Sequence, residues 1–174
     1  MLLISAEVSK SNTLDKETKM IVTIDTKDLS DDLNKLLGMA ARARLNVQAP
    51  YSRFAVGAAV MSNGKFHAGC NVERATYSQT THAEQCAIDG LTAKYGVLKI
   101  KTIVIVGGPQ GKNFTCAPCW PCGHCRQIIW ENSDGDPSVQ VITPAGDGKL
   151  AVLTIGELFP YPFGPKDLGI NIFH

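Results

Sequence analysis

Two short segments, far apart in the chain, place the strongest constraint on its fold. Residues 81–85 read T-H-A-E-Q, and residues 121–125 read P-C-G-H-C. The first segment offers the imidazole of His82 and the carboxylate of Glu84, and the second offers the thiols of Cys122 and Cys125. Zinc binds imidazole nitrogen and thiolate sulfur, and a catalytic zinc keeps one of its four positions for water. A fold that joins the two segments would create a three-ligand metal site and leave Glu84 free to move protons.

The spacing of apolar residues predicts where these segments lie. A helix is predicted from about residue 81 to 95 and another from 122 to about 132, so both segments open helices. The positive end of a helix stabilises thiolates, which favours Cys122 and Cys125 as ligands. Another helix is predicted from residue 28, where Ser30 does not form a capping box, and a short one near 155–159. Strands are predicted at residues 54–61, 65–72, 100–106, 139–143 and 151–154.

This alternation of helices and buried strands predicts an α/β fold, in which helices cover both sides of a central sheet. Gly57 and Gly69 fall inside predicted strands and indicate close approach of another backbone or a ligand. Residues 1–27 are polar with short apolar islands, and we interpret them as an N-terminal arm that is either flexible or a short strand pair. Residues 28–174 are interpreted as a single catalytic domain.

Net charge and hydropathy limit the kinds of partner and the cellular compartment that we expect for this chain. The net charge is +1, with lysines and arginines scattered along the chain, which disfavours a nucleic-acid partner. No apolar run approaches the roughly 18 residues of a membrane span, and the N-terminus lacks the features of a signal peptide. We therefore expect a cytoplasmic protein that binds neither nucleic acid nor membranes, with cysteines that are reduced or metal-bound.

The cysteines allow more than one interpretation. Cys116, Cys119, Cys122 and Cys125 recur every three residues, which also fits a structural zinc site of four cysteines, one of three cysteines and a histidine, or a redox dithiol. We interpret Cys116 and Cys119 as packing or spare thiols, with a second metal site as the alternative. Glu84 alone would also suit the helix dipole. The remaining histidines are interpreted as surface or strand residues; they are His67, His124 and His174.

Several motifs in the same order resemble the cytidine deaminases, the zinc enzymes of pyrimidine nucleoside salvage. The resemblance extends from about residue 36 to 168. H-x-E followed by P-C-x-x-C is the signature of zinc nucleobase deaminases. The further motifs are P-Y-S-R-F-A-V-G-A-A-V at 50–60, G-C-N-V-E at 69–73, A-P-C-W-P-C-G-H-C-R-Q at 117–127 and F-G-P-K-D-L at 163–168.

The resemblance implies a three-layer α/β/α fold around a five-stranded mixed sheet, and one Zn²⁺ per chain on His82, Cys122 and Cys125. It implies that Phe54 packs on the pyrimidine. The other implied substrate contacts are Asn71 and Glu73 at the ribose hydroxyl, and the Ala83 backbone and Glu84 at the base edge. Tyr77 and Phe163 match positions that complete a neighbouring subunit's pocket, which implies a homo-oligomer, either a dimer or a tetramer.

The expected reaction is hydrolysis of cytidine and deoxycytidine to uridine and deoxyuridine plus ammonia, with Glu84 carrying protons to N3 and to the leaving amine. A carboxylate at the sugar hydroxyl would repel a phosphate, which favours a free nucleoside. The alternatives are a deaminase of a modified cytosine nucleoside, such as an antibiotic, and a non-catalytic zinc-stabilised binding module. The chain departs from many short members by having His82 in place of Cys, by its N-terminal extension, and by Cys116 and Cys119.

Overall fold

The computed structural model describes residues 21–113 and 117–173. The predictions for residues 1–20, Cys116 and His174 lie outside these ranges. None of the helices within them is long and apolar enough to cross a membrane. In chain order, the helices and strands are β1 (Val22–Asp25), α1 (Asp31–Ala43), β2 (Phe54–Ser62), β3 (Lys65–Cys70), α2 (Ala83–Tyr95), β4 (Thr102–Pro109), α3 (Gly123–Asn132), β5 (Gln140–Gly146), β6 (Lys149–Thr154) and α4 (Ile155–Leu158).

The strands form one mixed sheet in the order β1-β6-β5-β4-β2-β3. The β4–β5 pair is parallel, and the other pairs are antiparallel. The predicted α/β class is confirmed. In the described part of the chain the sheet has six strands, whereas five were expected. The additional strand is β1, whose Val22 pairs with Val152 on β6. It comes from the segment interpreted as the N-terminal arm.

Successive side chains of the central strand β4 point to opposite faces of the sheet, so they belong to two separate hydrophobic cores. Ile103 and Ile105 pack on one face of the sheet with residues of α2 and α3. Val104 and Val106 pack on the other face with residues of α1. Burying such a side chain fully contributes about 1.5–3 kcal/mol, so register along β4 is strongly specified. The result is a three-layer arrangement in which α2 and α3 share one layer, and this allows their first turns to meet.

Two glycines let helices approach the sheet closely, as the sequence predicts. A Cβ on Gly57 would lie 2.0 Å from the carbonyl oxygen of Ala40 on α1. A Cβ on Gly69 would lie 2.5 Å from the backbone nitrogen of Ala87 on α2. Because both neighbours are backbone atoms, neither can move aside as a flexible side chain would. These contacts fix the height of α1 and α2 above the sheet.

Candidate metal centre and adjoining pocket

The first turns of α2 and α3 hold the residues predicted to bind metal. His82 directly precedes α2 and Cys122 directly precedes α3, each with extended backbone. Cys125 lies inside the first turn of α3 and is fully buried. The predicted helix starts at residues 81 and 122 are therefore correct within two residues. The N-cap positions of His82 and Cys122 and the first-turn position of Cys125 bring the three side chains together.

The three side chains have the spacing of a zinc site. His82 Nδ1 lies 3.5 Å from the Cys122 Sγ and 3.3 Å from the Cys125 Sγ. All three possible ligand atoms lie within 4.8 Å of one another. Zn–N bonds of about 2.0 Å and Zn–S bonds of about 2.3 Å at a tetrahedral angle separate nitrogen and sulfur by about 3.5 Å. The donor types and their spacing both fit one zinc ion.

The protonation of Cys125 couples this site to pH. Burial raises the pKa of its thiol far above the ordinary range, and the nearby Glu84 and Cys122 raise it further. A metal ligand must be the thiolate, so metal binding has to displace this proton. The influence of Glu84 on Cys125 also shows that the carboxylate lies beside the metal-ligand group. Glu84 is only 6% exposed.

A cavity of about 350 Å³ opens beside this group. That volume is at the lower end of the range for small-molecule sites. The predicted residues that line it are Phe54, Asn71, Glu73, His82, Ala83, Glu84 and Cys122. The other lining residues are Ser52, Val56, Thr80, Cys119 and Trp120. The fold thus gathers residues from β2, the segment after β3, and the starts of α2 and α3 around one space.

Glu73 is held rigidly at the edge of this cavity. Its Oε2 accepts hydrogen bonds from the backbone nitrogens of Tyr51, at 2.9 Å, and Ser52, at 3.2 Å. A side-chain hydrogen bond with Ser52, followed by these backbone bonds, lowers the pKa of the Glu73 carboxyl below its ordinary value. The pocket therefore presents an ionised carboxylate near neutral pH.

Asn71 organises the start of β2. Its Oδ1 accepts a hydrogen bond from the Val56 nitrogen at 2.8 Å, and its Nδ2 donates to the Phe54 oxygen at 2.9 Å. An amide nitrogen carries a second hydrogen, so Asn71 can still donate to a ligand. The same side chain thus holds the backbone of Phe54 and retains a donor for the pocket.

Two predicted residues lie elsewhere. Tyr77 is 73% exposed and Phe163 is 59% exposed, and neither lines the cavity in this chain. The Tyr77 ring meets the Tyr51 ring edge-on at 5.8 Å. The Phe163 backbone oxygen accepts a hydrogen bond from Gln127 on α3 at 2.8 Å. The structure therefore fixes the backbone of Phe163 and leaves its ring exposed.

Two residues near the site were not predicted to lie there. The His124 ring stands 5.5 Å from the His82 ring, and its Nε2 lies 3.4 Å from Gln85 Oε1. Cys119 lines the cavity but is outside the metal-capable group found among the described residues. Its prediction as a packing thiol agrees with its contact with the core. The signal in the sequence that could have placed His124 near the site is its position between the two cysteines predicted as ligands.

Comparisons with known proteins agree with this site. Residues 30–141 match the family model described as the cytidine and deoxycytidylate deaminase zinc-binding region. A cytidine deaminase of Sporosarcina psychrophila is 35% identical over 138 residues, covering 79% of this chain and 95% of the relative. A Vibrio cholerae cytidine deaminase is 36% identical over 159 residues, covering 90% of this chain but 47% of the longer relative.

Solved structures give the same result. The crystal structure of cytidine deaminase from Burkholderia pseudomallei matches with a TM-score of 0.63 and 35% identity, covering 78% of this chain and all of the other. The corresponding protein of Mycobacterium leprae matches with a TM-score of 0.61 and 34% identity, covering 76% of this chain and all of the other. The family metal is zinc, and the cluster at the starts of α2 and α3 can hold one ion. The chain belongs to the cytidine and deoxycytidylate deaminase family.

Proposed function

We propose that this protein hydrolyses cytidine and deoxycytidine to uridine and deoxyuridine, with release of ammonia. The observation that carries the proposal is the buried Glu84 carboxylate beside the cluster of His82, Cys122 and Cys125, at one end of a nucleoside-sized cavity. Zinc bound to these three residues would supply an acidified water as the nucleophile. The names of the relatives support the same activity.

Glu84 is assigned the proton transfers. It lines the cavity and lies close to the ligands, so it can reach both the attacking water and the base. The water oxygen bonds to C4, the bond from C4 to the exocyclic nitrogen breaks, and the amine leaves as ammonia. Glu84 moves one proton of the water to N3 and then moves the other, from the new hydroxyl on C4, to the leaving nitrogen as C4 becomes a carbonyl.

The other cavity residues are assigned to binding. The Phe54 ring supplies a flat apolar surface for the base, and the Ala83 backbone, at the start of α2, is assigned to the base edge. Asn71 and Glu73 together can donate to and accept from a sugar hydroxyl. Because the Glu73 pKa is lowered, the carboxylate stays ionised and would repel a phosphate on the sugar. The preferred substrate is therefore a free nucleoside.

The exposed rings support an oligomer. Tyr77 and Phe163 are both largely exposed in the single chain, and we assign them to the outer part of a neighbouring subunit's pocket in a dimer or tetramer. Burial of such rings is a common source of subunit affinity. The proposed compartment is the cytoplasm, where nucleosides are salvaged and the metal-binding thiols stay reduced.

The direct test is a substrate panel on the purified zinc-loaded protein. Loss of cytosine absorbance and release of ammonia are followed with cytidine, deoxycytidine, cytidine monophosphate and a cytosine-containing oligonucleotide. We expect turnover of both nucleosides and little turnover of the phosphorylated substrates. Zinc binding without any ammonia release would instead support a binding module. Faster turnover of the monophosphate would contradict the role of Glu73.

A further inference from the structure

Cys119 forms part of the cavity wall next to the proposed base-binding surface. A Cβ placed on Gly107 would lie 2.5 Å from the Cys119 Sγ and 3.1 Å from Cε1 of Phe54. The thiol and the aromatic ring therefore meet over the same glycine at the end of β4. Both also line the cavity that contains Glu84.

Cys119 is held in place by contacts on the side away from the cavity. The Cys119 nitrogen donates a 2.8 Å hydrogen bond to Oγ1 of Thr143, which is fully buried in β5. The thiol rests on the Gly107 backbone, which is part of the paired strand β4. Because backbone and side chain are both held from behind, the size of residue 119 sets how far the wall extends into the cavity.

The wall is also uncharged. Burial raises the pKa of the Cys119 thiol to about 11, and Glu84 raises it while Arg44 lowers it. A neutral thiol is a weak hydrogen-bonding group and acts as a small apolar side chain. On a cytosine, N3, O2 and the exocyclic nitrogen all need polar partners, whereas the edge formed by C5 and C6 carries only hydrogens. An apolar wall therefore suits the C5 edge.

We propose that Cys119 is a specificity-determining residue that limits the size of the substituent accepted at C5 of the pyrimidine. The proposal rests on the proposed function and identifies its substrate class as cytosine nucleosides with a small group at C5. One methylene group against such a wall typically changes discrimination by about 10–200-fold.

The test compares kcat/KM for 5-methylcytidine with kcat/KM for cytidine. We expect this ratio to rise about tenfold in Cys119→Ala, where the wall is set back, and to fall in Cys119→Val, where it protrudes. Cys119→Ser shortens the side chain less than Cys119→Ala does and makes it more polar, so its ratio should lie between those of the wild type and Cys119→Ala. Cys70→Ala, which removes a thiol outside the cavity, is the matched control.

Calorimetric binding of uridine and 5-methyluridine to the same zinc-loaded variants separates the inference from the function. Parallel shifts in the turnover and binding ratios support the role of Cys119. Unchanged ratios in both the alanine and valine variants overturn that role and leave the deaminase assignment intact. Binding without turnover rejects the deaminase assignment, and the binding ratio alone then decides the inference. If there is neither turnover nor binding of either nucleoside, both are rejected.

Discussion

The two ends of the cavity are built in different ways. At the metal end, Cys125, Ala83 and Glu84 are all buried, each within the first turn of a helix that packs on the sheet. The residues proposed to complete the outer end of a neighbouring subunit's cavity, Tyr77 and Phe163, are largely exposed. A single chain thus brings the reacting groups together, whereas in the proposed function the enclosure of the substrate is completed by a second copy.

The largest effect is expected from loss of a metal ligand. Cys125→Ser removes a soft thiolate from the fully buried position of the cluster, so zinc and all turnover should be lost together. Cys119→Ser changes a thiol of the same cavity that is outside the cluster and should retain one zinc per chain. Metal analysis of the two purified variants checks this. Loss of zinc from Cys119→Ser would mean that the ligand set is wrong.

The next largest effect distinguishes the roles of two carboxylates in the same cavity, Glu84 and Glu73. Glu84→Gln should keep zinc and fold but lower kcat by about 10²–10⁴-fold, because the proton carrier is gone. Glu73→Gln should mainly raise KM, since its assigned partner is a sugar hydroxyl that does not react. Steady-state kinetics on both variants, with zinc content measured, distinguish the two roles. A kcat for Glu84→Gln within a few fold of wild type contradicts the assignment.

At the outer end, Phe163→Ala should raise KM by about tenfold, because a lost aromatic contact at an interface typically costs more than 1 kcal/mol. Tyr161→Ala is the matched control, since this ring is in the same C-terminal segment, is 94% exposed and has no assigned role. Sedimentation measures the assembly of each variant at the assay concentration. A fully active wild-type monomer would remove the basis for a shared pocket.

Local sequence patterns predicted the metal end better than the edges of the fold. His82 and Cys122 fall at helix starts because the apolar spacing behind them defines α2 and α3. The start of α1 was predicted at residue 28, but the helix begins at Asp31, where the Ser30 hydroxyl accepts a hydrogen bond from the Leu33 nitrogen. A serine can cap a helix without the reciprocal acidic residue of a capping box.

Long-range contacts account for what was missed. Strand β1 has only four residues, and its pairing with β6 depends on a partner at the opposite end of the sequence. The position of Cys119 against Gly107 and Phe54 joins three separate segments. No periodicity within one segment encodes such contacts. The approach of His124 to Gln85 likewise depends on α2 and α3 meeting.

The smallest predicted effect concerns charge at the metal end. Zinc with one neutral imidazole and two thiolates is formally neutral, whereas His82→Cys adds a third thiolate and a net negative charge. A more negative site should polarise its water less, so His82→Cys should bind zinc but turn over slowly near neutral pH. Gln85 lies one residue beyond Glu84, and its Oε1 reaches His124, whose ring stands against the His82 ring. Position 85 is therefore close enough to influence the ligands.

Adding Gln85→Arg to His82→Cys should recover a few fold of the lost kcat/KM, because a guanidinium there offsets the added charge. In the wild-type background, Gln85→Arg has no excess charge to offset, and the same substitution should give no gain. A double-mutant cycle on kcat/KM, with zinc content measured for all four proteins, isolates the coupling between the two positions. Equal losses from Gln85→Arg in both backgrounds would show that the positions are independent. The effect of His82→Cys would then have to come from ligand geometry, since imidazole and thiolate place their donor atoms differently.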